Sequence, residues 1–521
     1  MRCAEVFKAL DKEKIIKCIA AFIFPLFLCL LYCRIRGTSF GKLYLPSSIN
    51  NDAFFYYKLV EGALMKGGIR GYFGYNESHA LVGGFGAWTP FIIIPWMLWG
   101  YIFKWNYISP ILANIFFLSI ALSIYTYMVS IKWKNILLMF LTLSLFPALP
   151  IHIMNTLPET MILSLLLIYW GVCHMCCEKE KTQYFILMYL IGFFLTLLRP
   201  YYVLILLYPS IMLIKKRKWS TSLISVCIPI IAVIGYLVSS HFFCSPYFIP
   251  LYNTDMIKHL FTGNIRDAVS SLNAVVSGEM SELSGFIRDA FDYGLTAGTQ
   301  YVIVVFMMVT GLLLYGMKIE GRNVFLLYSV VTFGIMMAII VLLGSVKQGG
   351  RHFFSFAVLG LILLCSVELR RRVIPVDIAA VLLLMFFISR GSMIPTNYDI
   401  PIEIQGNRSA DGYWREAFKE KNVQLTDDMG YDNTVVWLLY DFDENDEYTL
   451  TDYHELYSLP SGMGISCCKP DYVSENIDSI LSRYLATLSG GKIDVLCRER
   501  GYEEIGRTED MVIFRLDRNS K

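Results

Sequence analysis

The sequence predicts an α-helical polytopic membrane protein of about eleven transmembrane helices, with a small C-terminal α/β domain outside the membrane. Three observations predict it. The 521 residues are 55% hydrophobic and only 17% charged, with a mean hydropathy of +0.52, far from an ordinary soluble composition. Apolar runs long enough to carry helices through roughly 30 Å of hydrocarbon recur along the first three-quarters of the chain. From about Gly391 the chain turns polar and acidic, with Asp427, Asp428, Asp441 and Asp443 among its residues. The net charge of +2, with no basic tail, gives no footing for a nucleic-acid partner.

Each element has its own reason. The N-terminus carries Arg2, Lys8, Lys12, Lys14 and Lys17 at the start of the apolar run Ile15–Cys33. That run has no small-residue cleavage site and is long for a signal peptide, which predicts a retained first span with its start in the cytoplasm. Later runs are Ile108–Ile131, Ile136–Pro150, Pro158–Cys176, Tyr184–Leu198, Pro200–Ile214, Ser220–Phe243, Gly298–Met317, Val324–Val346, Phe353–Val367 and Ile374–Ser389. Tyr184–Ile214 also reads as one kinked segment. Basic connections at Lys132/Lys134, Lys179/Lys181, Lys215–Lys218, Lys318/Arg322 and Arg370–Arg372 belong in the cytoplasm by the positive-inside rule. An odd number of crossings must therefore separate the first loop from Lys132, and two apolar runs lie there. Trp88–Phe103 is short, holds Pro90 and Pro95, and is rich in Trp, which predicts a surface helix over 88–103 rather than a span.

The expected organisation is a transmembrane domain over 1–390 and an extracytoplasmic domain over 391–521. The first outer loop covers 34–107, and a second outer loop covers 244–297 with an amphipathic helix near Asp267–Val276. Ile151–Glu159 reads as a short outer turn, and Lys347–His352 as a glycine-rich basic outer turn. In the C-terminal domain Thr434–Tyr440, Ile493–Cys497 and Met511–Leu516 read as strands, and Ser479–Leu488 as a helix. No nucleotide-binding glycine fingerprint or nucleophile motif occurs there, so this domain is expected to assist rather than catalyse.

Of the 13 cysteines, those in apolar runs read as small core residues. The Cys173–Cys177 cluster lacks the second cluster that zinc ligation normally needs. Cys467, Cys468 and Cys497 leave room for one disulfide without choosing the pair.

Candidate site residues lie where the predicted topology meets the outer face. Asp52 follows Asn51 after the first span, in a loop that also holds Tyr56 and His79. A carboxylate there accepts a proton from an acceptor hydroxyl or amine within hydrogen-bond reach; the plainer reading is a helix cap ahead of Ala53–Met65. Glu159 follows Pro158 at the outer end of a span, where it favours a helix N-terminus or serves as a second carboxylate for acceptor, donor or a divalent ion. Arg199, Lys347 and Arg351 are cations on the less basic side. They snorkel to headgroups or bind an anion such as phosphate. His352, beside Arg351, and His79 are structural or substrate-binding.

Asn51-Asp52 after span one, Glu159 in the turn between the third and fourth spans, and Gly350-Arg351-His352 entering a late span resemble, in order and topology, the GT-C superfamily of polytopic glycosyltransferases. That superfamily includes oligosaccharyltransferases, protein O-mannosyltransferases and aminoarabinose transferases. A WWDYG-type motif is missing, which argues against oligosaccharide transfer to asparagine, and the Asp-Glu pair of the mannosyltransferases is Asp52-Ala53 here. The resemblance implies inverting transfer of a sugar from a polyprenyl-phosphate-linked donor to a glycan, lipid or protein acceptor on the extracytoplasmic face. It casts Asp52 as general base, with Glu159 as the second acid. Arg351, Lys347 and Arg199 fall on the donor phosphate, and Asn51, Tyr56, His79 and His352 on substrate. No cofactor beyond the lipid-linked donor is required, and a divalent metal stays open. The competing readings are a transporter or flippase for a lipid-linked sugar and a non-catalytic envelope-assembly protein. The chain shows no internal repeat of the kind many transporters carry.

Overall fold

The computed structural model describes residues 12–37, 39–40, 43–45, 51–66, 73–75, 77, 88–215, 219–244, 255–317, 322–343, 346–366, 374–390, 402–403, 413–423, 430–438, 458–509 and 511–516. The first part of the chain runs α1 (Lys12–Ile35), β1 (Leu43–Leu45), α2 (Asn51–Lys66), β2 (Phe73–Tyr75), a 3-10 turn (Pro90–Ile93), α3 (Ile94–Phe103), α4 (Ser109–Val129), α5 (Trp133–Ser144), α6 (Ala148–Ile153), α7 (Glu159–Lys179) and α8 (Thr182–Leu198). A 3-10 segment (Pro200–Leu206) leads to α9 (Leu207–Lys215), α10 (Trp219–Phe243), α11 (Asp255–Phe261), α12 (Ile265–Tyr293), α13 (Ala297–Gly316), α14 (Arg322–Leu343), α15 (Val346–Ser366) and α16 (Ile374–Arg390).

Among the described residues six helices, α1, α4, α7, α10, α13 and α14, are long and apolar enough to cross a bilayer, and the chain is an integral membrane protein. Shorter apolar helices lie at Pro90–Phe103, Trp133–Ser144, Thr182–Leu198, Pro200–Ile214 and Arg351–Ser366. α7 is central: 72% of its apolar window is buried, against 22% in α10, which shows its Ile and Leu side chains to the surroundings. α7 packs against α4, α8 and α15.

Several sequence expectations are corrected. Ile136–Pro150 is not one helix: the chain leaves α5 at Leu145 and re-enters a helix at Ala148, because Pro147 disfavours helical geometry in the residue before it. Lys347–His352 is not a turn but the start of α15. The amphipathic stretch Asp267–Val276 lies within the longer α12, where Glu279, Leu283 and Ala290 are buried along one face.

The C-terminal part contains β3 (Ile402–Glu403), α17 (Tyr413–Glu420), β4 (Thr434–Leu438), β5 (Gly464–Cys468), α18 (Pro470–Asn476), β6 (Tyr484–Leu488), α19 (Lys492–Glu499), β7 (Glu503–Arg507) and β8 (Met511–Arg515). Its sheet has the order β2-β5-β4-β6-β8-β7. The first four strands are parallel, β8 runs antiparallel to them, and β7 pairs antiparallel with β8. β4 and β5 are buried at every position, as parallel strands covered on both faces must be. The edge strand β2 comes from the first loop, paired Phe73 to Ile465 and Tyr75 to Cys467, and β1 pairs with β3. The first loop and the C-terminal domain therefore lie on one side of the membrane.

Two local assignments reverse. Ser479–Leu488 was expected as a helix, yet Tyr484–Leu488 is strand β6. Ile493–Cys497 was expected as a strand and lies in α19, where Ile493 and Cys497 are buried one helical turn apart. Short apolar runs fit either period; the break at Ser489-Gly490-Gly491, with Gly490 at φ +79°, decides where the strand stops and the helix begins. Cys467, Cys468 and Cys497 are buried free thiols, so the disulfide left open by the sequence is not formed.

Asp494 closes the loop after β6. It accepts from the Gly490 N–H at 2.7 Å, from Arg498 Nε at 2.9 Å, and from both Arg507 Nη atoms at 2.9 and 3.0 Å. Burial alone would raise its carboxyl, but the hydrogen bonds from Arg507, Gly490 and Arg498 outweigh burial and hold it at about 2, below the ordinary 3.8. A depressed carboxylate stabilises the fold above its unfolded pKa and loses that contribution as pH falls through the folded one. Asp494→Asn should therefore cost about 2 kcal/mol near neutral pH. The deficit should shrink between pH 4 and pH 2. Denaturant unfolding of both proteins checks it; equal stability at pH 7 would refute it.

Candidate active site

The site is assembled from helix ends. α8 stops at Leu198 because Pro200 follows Arg199, and a residue before proline is pushed out of the α region. Arg199 accordingly adopts φ −150°, ψ 126°, while its N–H still reaches the Leu195 carbonyl at 3.0 Å. Glu159 opens α7 directly after Pro158, where the helix dipole favours a carboxylate. The two side chains meet inside the bundle: Arg199 Nη2 donates to Glu159 Oε1 at 2.7 Å, and both residues are 0% exposed.

Other groups gather around this pair. The Arg199 guanidinium lies over the Trp88 ring, 5.2 Å from its centroid, a cation–π contact strengthened by desolvation. Arg199 Nη1 donates to the Tyr201 hydroxyl at 3.2 Å, and that hydroxyl is hydrogen-bonded to His352 Nδ1 at 2.6 Å. Arg351, on α15, places Nε 4.0 Å from the same Glu159 oxygen, with 26% of its side chain exposed. Ser355, one turn further along α15, donates to the Glu159 carbonyl at 2.9 Å.

The turn before α7 is held just as firmly. Asn114, buried in α4, donates to the Ile153 and Asn155 carbonyls at 3.1 and 2.6 Å and accepts from Trp96 Nε1 at 3.0 Å. One buried amide thus joins α3, α4 and the turn, satisfied on both its ends as burial demands. His152 stacks on Phe354, ring centroids 3.8 Å apart, with its Nδ1–H donating to the Ala148 carbonyl at 2.9 Å.

Of the residues expected from the sequence, Glu159, Arg199, Arg351 and His352 come together. Tyr56 is buried against Trp96 and within electrostatic reach of Arg199. Asn51 and Asp52 occupy the first turn of α2, one turn ahead of Tyr56; their side chains lie outside the described residues, as does that of Lys347 in the first turn of α15. His79 also lies outside them. Trp88, Tyr201, Asn114 and Ser355 were not singled out from the sequence. The Arg199-Pro200-Tyr201 run held a signal, since a proline break beside a cation puts the next aromatic next to it.

Glu159 Oε2 and Arg199 Nε have no protein partner, which leaves the cluster hydrogen-bonding capacity for water or ligand. A divalent cation at Glu159 would face two guanidiniums at close range, a poor fit for a resident metal. Among the described residues no group of three or more His, Cys, Asp or Glu could hold a metal. The cluster suits an anion better.

No family model matches the chain, and no curated protein matches it. Solved structures similar to it are GT-C superfamily membrane glycosyltransferases. One is the Archaeoglobus fulgidus oligosaccharyltransferase in the apo form, at a TM-score of 0.47 and 10% identity over 97% of this chain and 75% of that one. Another is AglB from the same organism, in complex with an inhibitory peptide and a dolichol-phosphate, at 0.45 and 10% over 91% and 69%. A third is ArnT from Cupriavidus metallidurans bound to undecaprenyl phosphate, at 0.42 and 9% over 95% and 98%. At these identities the likeness is one of overall helical course, and it gives no residue of this chain a role.

Removing one partner of a buried ion pair leaves the other uncompensated. Arg199→Met should therefore destabilise the protein by about 3–5 kcal/mol, and Glu159→Leu added to it should restore most of the loss. Thermal unfolding of the single and double variants in detergent tests this; a double variant no more stable than the single one would contradict it.

Proposed function

We propose that the chain is a GT-C-type glycosyltransferase moving one sugar, with inversion, from a polyprenyl-phosphate-linked donor to an acceptor on the extracytoplasmic face. The observation that carries this reading is the convergence of two guanidiniums, Arg199 and Arg351, within 4.0 Å of one buried carboxylate oxygen. Arg199 lies within electrostatic reach of Tyr56 of the first loop. Arg351 is partly exposed and presents a planar fork of donors suited to phosphate oxygens. Lys347 precedes it by one helical turn of α15 and is a second cation for the phosphate in this reading.

In this reading the sugar C1–O bond to phosphate breaks while a bond from acceptor oxygen or nitrogen to C1 forms on the opposite face. Asp52 takes the proton from the acceptor. The electron pair goes to the lipid phosphate, whose growing negative charge Arg351 and Lys347 stabilise. Arg199 acts from behind, held by Glu159 and Trp88. Glu159, fully buried, orients the arginines rather than meeting the acceptor. Asn51, Tyr56, His79 and His352 line the approach of the sugar and acceptor. An N-terminus in the cytoplasm and a C-terminal domain outside follow from the basic connections.

Asp52→Asn should abolish sugar transfer while leaving polyprenyl-phosphate binding intact. Arg351→Ala should weaken donor use by roughly 10²–10³ in kcat/KM. The test compares lipid and glycan extracts of cells with and without the protein, then assays both variants on the sugar found missing. Full function with Asp52→Asn would favour a transporter or scaffold instead.

A further inference from the structure

Glu77, in the first loop, is 4% exposed and has φ +60°. That left-handed backbone is disfavoured for a residue with a side chain, and it persists only where the surroundings over-determine it. Here they do. Glu77 Oε1 accepts from the Ser482 N–H at 2.6 Å and the Ser482 hydroxyl at 2.8 Å, and Oε2 accepts from the Leu481 N–H at 3.0 Å. Its own N–H donates to Ser466 Oγ at 2.6 Å, and its carbonyl accepts from the Tyr431 hydroxyl at 3.1 Å. Each of these bonds crosses to the C-terminal domain, two residues beyond the strand β2 that forms the edge of its sheet. A second contact lies on α2, where Glu61 Oε2 accepts from Lys58 Nζ at 2.6 Å in a buried pair and Glu61 Oε1 accepts from the Ser461 hydroxyl at 3.5 Å. The C-terminal domain thus grips the first loop at both ends of the segment from α2 to Glu77.

We propose that Glu77 is a positioning residue. By clamping the loop to the C-terminal sheet it sets the stance of α2, which carries Asp52 in its first turn and Tyr56 against Trp96. The functional half of this proposal rests on the glycosyltransferase reading; the clamp itself rests on the hydrogen bonds alone. Donor-side groups, Glu159, Arg199 and Arg351, stand on other helices. Loosening the clamp should therefore disturb turnover and spare donor binding.

The experiment uses the full-length protein in detergent or nanodiscs, comparing wild type, Glu77→Ala, Glu77→Gln and the milder Ser482→Ala. Hydrogen exchange over residues 51–66 and 73–75 reports the clamp; kcat and donor KM report the site, with polyprenyl phosphate as the binding probe. Glu77→Ala should speed exchange in both segments and lower kcat by about tenfold or more, with donor KM within about twofold. Glu77→Gln, which keeps one oxygen for Ser482, should recover part of the loss. If Glu77→Ala does not fold, Ser482→Ala carries the same test with a smaller effect. Unchanged exchange in α2, or donor KM rising as far as kcat falls, overturns the proposal. If wild type neither binds polyprenyl phosphate nor transfers sugar, the glycosyltransferase reading fails, and exchange alone decides the clamp.

Discussion

The arrangement depends on one buried ion pair, Glu159 with Arg199, at 2.7 Å and out of contact with solvent. Taking two charges out of water costs several kcal/mol per ion, and their attraction offsets this only with close geometry and further hydrogen bonds. Those bonds and contacts come from Tyr201 and Trp88, and Arg351 stands nearby. The start of α7, the end of α8, the start of α15 and the entry to α3 must therefore converge. Moving any of them strands a charge in an apolar interior. A pair so placed is weak evidence for stability by itself, and its value here is to specify one packing among many helices of similar hydropathy.

The second constraint joins the two halves of the molecule. A C-terminal sheet that borrows its edge strand from the first loop cannot form without that loop, and the loop gains its conformation from the sheet. Pairing β2 with β5 also replaces a five-residue edge by a three-residue one, and a short edge strand invites other strands less. The first loop and the C-terminal sheet thus form one unit.

Between these two constraints the local chemistry is ordered by hydrogen-bond direction. Arg199 has only donors, and the Tyr201 hydroxyl that accepts from it is also bonded to His352 Nδ1, so one chain of contacts runs from the arginine to the histidine. Asn114 does similar service for the turn before Glu159. Two short polar chains thus position a site within walls that are otherwise apolar.

Much was legible in the sequence alone. Apolar runs, basic connections and the Trp-rich segment at 88–103 depend on local composition, and hydropathy records composition directly. The break at Arg199-Pro200 was legible too, because a proline's effect on its neighbour is covalent and local. Glu159, Arg199, Arg351 and His352 stood out as polar residues at span ends. What the sequence could not decide were matters of distant partners. A glutamate in the first loop finds its donors at Leu481 and Ser482. Three residues near Tyr75 become the edge of a sheet whose other strands begin at Thr434. Lys347–His352, loop-like by its glycines, is helical at the head of an apolar helix. The sequence determined which segments are apolar and where the chain must bend; the tertiary structure decided which charges meet, because the cost of burying a charge is settled only when its partner is in place.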